Sequence, residues 1–350
     1  MNDFRSYLEL SKNTYQEHFG LDFEQFAIGQ VFHHRPGLTI SQQDNADEAL
    51  DTINNAQLHY DAHYASKTEW KCCLGVSTLT LQRVLGMASK TFARKESIIH
   101  FEDIAMTRPV FGADTLYARS TITGKEDHND LLGTLSVKTE GVNQKGEVVA
   151  SIAYTMRIYK SGRHPFEEKR GYKRKTLPEK FASHRTLADG SFMEEIGLYF
   201  EDLEPNESYV HLPGKTFSRE ECQKHALRSI ELSPQYANTH YAKEFHEGKL
   251  LVQESFVLSV LTALSTRTFD RVVANLGWKN IKMHSKMWEG ETLYARSKIL
   301  DKRESKSRPT QGIMHVETEG KNQDGQLICT YERFFLIYKK GCGPYESAGY

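Results

Sequence analysis

His59 is the side chain of this sequence whose placement first suggests chemistry. It lies in NNAQLHYDAHYA, residues 54–65, and the segment ELSPQYANTHYA, residues 231–242, repeats that frame with Tyr236 in its place. A histidine titrates near neutrality, so it can take a proton from a bound molecule and hand it on. A lone histidine among aromatic and polar neighbours is usually structural. Its loss from one of two otherwise matching frames is what argues for a role here. Other histidines argue the opposite way. His63 answers His240, and His34 answers His211. Residues kept in both frames are expected to be structural. Adjacent His33 and His34 point to opposite faces of a strand, with nothing beside them to complete a ligand set, so no metal is expected.

The elements around His59 are duplicated as a whole. PGLTIS (36–41) answers PGKTFS (213–218), and TLYARS recurs unchanged at 115–120 and 292–297, an offset of 177 in both cases. TEGVNQKGEVV (139–149) then answers TEGKNQDGQLI (318–328) at an offset of 179, the difference falling in a polar stretch between the two motifs. An offset that holds along the chain and shifts only in a loop is the mark of a duplicated domain. Two such copies suggest a twofold dimer fused into one chain. The expected organisation is a first domain at 1–162, a charged linker at 163–182 and a second domain at 183–350. The linker region is rich in charge and carries prolines and glycines.

Each copy reads the same way. A strand precedes a Pro-Gly turn, and a polar helical stretch follows, SQQDNADEALDTI in the first copy. The His59 segment comes next, then an apolar helical run, GVSTLTLQRVLGMASKTFA or SFVLSVLTALSTRTF. The second run is apolar on nearly every side and must be enclosed. Strand-like segments close each copy, the last two joined by a polar Asn-Gln-Lys-Gly turn that predicts a hairpin. The simplest assembly is α+β, one buried helix wrapped by an antiparallel sheet.

Bulk composition removes several function classes. With 45 basic and 46 acidic side chains the formal net charge is -1, which gives no field to attract nucleic acid or an anionic membrane surface. No apolar run is long enough to span a bilayer, and the first residues lack the features of a secretory signal. Five cysteines form neither a CxxC pair nor a disulfide framework, so a reducing cytoplasm is the expected compartment. Cys73 is expected to be buried beside the start of the apolar helix, with Cys72 partly exposed.

With those residues in view, the chain resembles the hot-dog fold, and within it the MaoC-like dehydratases or (R)-specific enoyl-CoA hydratases. Their active-site frame is Asp-x-Asn-Pro-aliphatic-His-x-Asp-x-x-Tyr-Ala. Laid on this sequence it places the histidine on His59, the aliphatic residue on Leu58, and the tail on Asp61, Tyr64 and Ala65. The family's helix-opening glycine falls on Gly75, and RPVFGADTL (108–116) looks like its pre-strand element. The sequence departs from the family at three places: the catalytic Asp position is Asn54, the Asn is Ala56 and the Pro is Gln57. That variant, with VVANLGWKNIKM and GKNQDGQLICTYERFFLIYKKG in the second copy, is similar to the mesaconyl-CoA hydratase (β-methylmalyl-CoA dehydratase) subgroup.

The resemblance implies a double hot-dog in which the first half is catalytic and the second forms a wall for the acyl chain. Three positions change together between the copies: Asn54 to Glu231, His59 to Tyr236 and Gly75 to Val252. It implies a hydro-lyase acting on an acyl-CoA thioester without a resident cofactor. His59 would serve as base, the Gly75 backbone N–H would hold the enolate oxygen, and Asn54 would position water or substrate. Asp51 or Asp61 could instead supply the missing carboxylate, and Asn54 could be only a turn or cap residue. Ser77 and Thr78 in the first helical turn are candidate substrate contacts. A short branched, dicarboxylic acyl group would need a cation, for which Arg35, Arg83 and Arg108 are the unranked candidates, Arg108 also as a CoA contact. Two alternatives stay open: an acyl-CoA-binding protein without catalysis, and a hot-dog thioesterase. A homodimer of the duplicated chain is a further expectation.

Overall fold

A computed structural model describes residues 4–165 and 177–350, so the middle of the expected linker lies outside the described residues. Two seven-stranded sheets carry the chain. The first has the order β4 (Lys95–Met106), β7 (Val148–Tyr159), β6 (Leu132–Asn143), β5 (Thr115–Asp127), β3 (Val31–Thr39), β9 (Phe192–Glu194), β8 (His184–Thr186). The second has β1 (Tyr7–Ser11), β2 (Thr14–Glu17), β10 (Ser208–Thr216), β12 (Thr292–Glu304), β13 (Gln311–Lys321), β14 (Leu327–Tyr338), β11 (Val272–Met283). Both are antiparallel except where β9 joins β3 and β2 joins β10.

In the first half, helices α1 (Gln42–Asp51), α2 (Ala62–Lys67), α3 (Ser77–Met87) and α4 (Ser89–Phe92) lie between β3 and β4. Helix α3 lies across β3, β5, β6 and β7. Val84 of α3 is buried among Ile122, Leu135, Ile152 and Tyr154, with Leu81 and Leu85 packed on the same cluster. The corresponding helix of the second half, Glu254–Leu264, buries Val257 and Leu261 against Leu293, Ala295, Ile328 and Tyr331. A helix wrapped by a mainly antiparallel sheet, twice over, is the α+β double hot-dog arrangement that the resemblance implied. The Asn-Gln-Lys-Gly stretch forms the β6–β7 hairpin as expected, with Gly146 at φ +79°. The Pro-Gly pair differs from expectation: it interrupts no strand. It sits inside β3 as an irregularity, where pairing with β5 shifts register between His34 and Leu38. Cys72 is exposed and Cys73 buried.

Sequence halves and spatial halves do not coincide at their edges. Strands β1 and β2 belong by sequence to the first half but join the second sheet, while β8 and β9 make the reverse exchange. Packing crosses the expected boundaries at 162 and 183: Tyr7 and Tyr15 lie in the core of the second half and Phe192 in that of the first. One strand of each exchanged pair, β2 and β9, carries a buried glutamate to a histidine of the other half. Glu194 lies 2.9 Å from His34 Nδ1, and Glu17 lies 3.0 Å from His211 Nδ1. His34 Nε2 reaches Ser120 at 2.8 Å and His211 Nε2 reaches Ser297 at 2.9 Å. A threonine completes each cluster, Thr91 donating to Glu194 and Thr268 to Glu17. His34 and His211, one of the two histidine pairs kept in both copies, thus hold the halves together.

Removing one partner of such a pair leaves a buried charge or an unsatisfied ring, at a cost of about 3–5 kcal/mol. Burial pushes the His184 imidazole, which bonds Thr91 at 3.0 Å, down to about 3. Burial would raise the Glu194 carboxyl, but the His34 ring, its hydrogen bond and Lys90 outweigh that and hold it at about 2. His184 stays neutral in the fold while an unfolded histidine protonates below about pH 6.5, so its contribution is complete above that pH and shrinks on acidification. Glu194 adds stability present above about pH 4.3 and lost as the pH falls toward its depressed value. The thermal midpoint should therefore fall from about pH 6.5 downward, and His184→Asn should flatten the upper part of that slope. An unchanged slope in calorimetric scans of the variant would contradict the assignment.

Candidate functional site

The polypeptide around His59 is a short helical turn, Gln57–His59, followed by α2, and it is tied to the start of α3. His59 Nδ1 is 2.8 Å from the carbonyl of Leu74, whose peptide bond continues into Gly75. A carbonyl only accepts, so Nδ1 carries the ring proton, and the neutral imidazole keeps its lone pair on Nε2. That is the form a general base requires. The ring is half-buried, beside the peptide expected to face the reacting carbonyl.

Asn45, which the sequence reading did not single out, is the fastening of this corner. It is 1 % exposed on the inner face of α1. Its amide nitrogen donates to the carbonyls of His59 and Leu74, both at 3.0 Å, and its oxygen accepts from Val76 N–H at 2.7 Å. One side chain thus joins the histidine loop, the residue before Gly75 and the N-cap of α3. Its counterpart at the repeat offset is buried Cys222, which cannot make that set of bonds. Asn45 therefore changes together with His59. A single-sequence reading could have found it by comparing the copies along the polar helix rather than only along the histidine frame.

Gly75 is corrected in one respect. Its N–H donates to Val110 at 2.7 Å, so its one hydrogen is committed and the expected oxyanion role is not open to it. Val252 makes the equivalent bond to Met287 at 2.8 Å in the second half. A Cβ on Gly75 would sit 2.7 Å from the Val110 carbonyl oxygen, so close strand packing explains the glycine.

The carboxylate candidates are sorted by their bonds. Asp61 accepts from Tyr64 N–H at 2.9 Å as the N-cap of α2, and Asp51 is exposed at the end of α1. Asn54 accepts from Ala56 N–H at 3.0 Å, the turn role left open for it. The carboxylate brought against α3 is Glu48, one turn along α1 from Asn45. Its Oε1 accepts from Thr78 Oγ1 at 3.2 Å and from Gln82 Nε2 at 2.8 Å. In the second half this position is His225, stacked on Phe256 at 4.1 Å, and Tyr236 fills the histidine position with its hydroxyl on Glu254 at 2.7 Å.

Ser77, Thr78, Gln82 and Gly86 form an exposed stripe along α3. The stripe leads into a cavity of about 530 Å³ between the halves, lined by Arg35, Gly37, Gln82, Arg83, Gly86 and Arg267 among others. Two of the three arginines considered for a substrate carboxylate thus meet in one place. Arg35 is partly held, by the Gly349 carbonyl and the Tyr117 and Tyr350 rings, and Arg83 faces Asp44 at 3.8 Å. Arg108 is exposed and does not line the cavity. His59 does not line it either, so the cavity runs along α3 beyond the His59 ring rather than enclosing it.

Residues 175–347 match the family profile described as Mesaconyl-CoA hydratase. Mesaconyl-CoA hydratase of Cereibacter sphaeroides is 28 % identical over 312 residues, 82 % of this chain and 85 % of that protein. Mesaconyl-CoA hydratase of Haloarcula hispanica is 24 % identical over 157 residues, and the match spans only 44 % of each chain. A solved Mycobacterium tuberculosis protein described as having a double hot-dog fold is 15 % identical, covering 91 % of this chain and 99 % of that one, with a TM-score of 0.38.

Asn45→Ala should remove three hydrogen bonds at a buried corner, and net contributions near 1 kcal/mol each predict a loss of about 2–3 kcal/mol. Urea unfolding checks the figure, and nitrogen chemical shifts of His59 should show loss of the single Nδ1–H tautomer. A variant matching wild type in both would mean that the corner is held by something else.

Proposed function

We propose, for a chain related to the mesaconyl-CoA hydratases, that it is a hydro-lyase adding water across the double bond of a short, branched, dicarboxylic enoyl-CoA. The observation carrying this reading is the Nδ1–Leu74 bond, which leaves His59 Nε2 as a base beside the N-terminus of α3. Nε2 takes a proton from water as the oxygen bonds to C3 of the acyl group. The C2–C3 π electrons move toward the thioester oxygen, and the imidazolium then returns the proton to C2. Delivery of both parts of water from one group places them on the same face.

Glu48 takes the place that Asp51, Asp61 and Asn54 were considered for. Thr78 and Gln82 both bond its Oε1, which leaves Oε2 to accept from the attacking water and aim its lone pair. The enolate oxygen falls to the first-turn amides of Ser77 and Thr78, since a helix leaves its first N–H groups without intrahelical partners and its dipole favours negative charge there. Arg83 is six residues along α3 from Ser77, roughly 9 Å at helical rise, within reach of a carboxylate at the far end of a short acyl chain. Arg35 approaches the same cavity from β3.

Hydration of mesaconyl-CoA and crotonyl-CoA, followed by loss of enoyl absorbance, tests the reading. His59→Ala should lower kcat on the order of 10²–10⁴-fold. Glu48→Gln should also lower kcat, whereas Asn54→Ala and Asp61→Asn should leave it nearly unchanged. Arg83→Ala should raise KM for mesaconyl-CoA and not for crotonyl-CoA. Full turnover in His59→Ala would sink the mechanism. Glu48 beside the central helix also favours a second reading, thioester hydrolysis, and release of free CoA thiol from a saturated acyl-CoA would decide for it.

A further inference from the structure

The cavity between the halves holds cations that its own acids do not answer. Arg83 and Lys180 of its lining are paired, with Asp44 at 3.8 Å and Glu207 at 2.6 Å. Arg35, Lys90 and Arg267 line it as well, and among the described residues none of these forms an ion pair. Of the lining acids, Glu17 is committed to His211 and Thr268, and Glu195 to Arg185 at 3.2 Å and Arg271 at 3.1 Å. Asp270 alone is left to oppose the cations.

The cations stand close to one another. Arg35 N–H donates to Glu194 at 3.0 Å, and Lys90 Nζ donates to the carbonyl of the next residue, Glu195. Arg267 answers Lys90 at the repeat offset of 177. Partial burial draws the Lys90 ammonium below the usual lysine value; Glu194 and Asp270 oppose that shift and Arg267 adds to it. Each cation keeps donors to give. Arg35 bonds the His34 and Gly349 carbonyls through Nη1, Nε and Nη2, which leaves one hydrogen on each terminal nitrogen. Lys90 keeps the rest of its ammonium hydrogens, and Arg267 lies over the Phe19 ring at 3.9 Å with its edge beside the cavity. His34 and His211, also matched across the copies, each have a buried acid; Lys90 and Arg267 have no such partner.

Phe19, Leu38, Met87, Ile196 and Leu198 supply apolar wall to the same space. A cleft with a surplus of one charge and walls of low polarity concentrates ions of the opposite sign. The surplus of Arg35, Lys90 and Arg267 over Asp270 is what two carboxylates on a short aliphatic body would cancel. Position separates this end of the cavity from the reaction. Lys90 is 13 residues beyond Ser77, with α4 following α3 through Ala88 in helical backbone, roughly 20 Å at helical rise. A short acyl chain whose thioester oxygen lies at Ser77 does not extend so far.

We propose that Lys90, Arg267 and Arg35 form a separate site for a free aliphatic dicarboxylate, bound without CoA, with Lys90 and Arg267 on one carboxylate and Arg35 on the other. The inference goes beyond the proposed hydration, and a binding measurement tests it apart from turnover. Calorimetric titration of the full chain uses succinate, glutarate and adipate as probes, with butyrate as the monocarboxylate control and circular dichroism reporting the fold of each variant. One or more of the dicarboxylates is expected to bind about tenfold or more tightly than butyrate, the worth of one added charged contact. Lys90→Met, Arg267→Gln and Arg35→Gln are each expected to weaken that binding by about tenfold or more. His59→Ala is expected to bind the dicarboxylate as wild type does. Absence of binding, or butyrate bound as tightly as every dicarboxylate, overturns the proposal. So does a folded Lys90→Met or Arg267→Gln that binds at wild-type strength. Loss of binding in folded His59→Ala overturns it too, since the ligand would then lie at the reaction centre.

Discussion

Everything in this molecule is organised around two buried glutamate–histidine contacts that run between its halves. Glu194 reaches His34 and Glu17 reaches His211, with all four side chains almost wholly removed from water. Desolvating those groups is expensive, so the contacts persist only where geometry is specified closely and the remaining ring nitrogens are satisfied, as Ser120 and Ser297 satisfy them. The exchanged strands are the consequence. A glutamate can be delivered to the histidine of the other half only if its strand leaves its own sheet and joins the opposite one. Hydrophobic burial stabilises each core separately, while the polar clusters decide which segment goes where.

That constraint places the inter-half cavity. The residues flanking the exchanged strands, Phe19 after β2 and Ile196 after β9, line the same space as Gln82 and Gly86 of α3. The central helix is therefore enclosed by its own sheet on one side and faces the cavity with its polar stripe on the other. His59 lies off this wall, at the end of the helix, fixed by Asn45. The arrangement sets the His59 ring at the helix tip apart from the cavity that runs along the helix. The second half differs at the same corner: Cys222, His225 and Tyr236 replace Asn45, Glu48 and His59, His225 stacks on Phe256 and the Tyr236 hydroxyl bonds Glu254.

Much of the fold was legible in the residue order, because a duplication lets one copy serve as a comparison for the other. The hairpin, the polar helix, the enclosed apolar helix and the structural standing of His34 and His211 follow from pattern and repeat. The site was legible in part. His59 announced itself by its loss from the second copy. Glu48 and Asn45 did not, since helical positions three apart in a polar stretch look like an ordinary solvated face, and their contacts lie 14 to 34 residues away along the chain.

The sequence by itself determined that there are two related units, that each wraps a helix in a sheet, and that the histidine frame survives in one of them. Those properties are local or repeat along the chain, so residue type and spacing carry them. Only the tertiary structure decided that Gly75 spends its N–H on Val110, that Asp61 and Asn54 spend their oxygens on nearby backbone amides, and that Glu48 meets α3 instead. It alone decided the exchange of strands between sheets. A hydrogen-bonding group has few bonds to give, and which partner takes them is settled by distances across the fold that no spacing along the chain records.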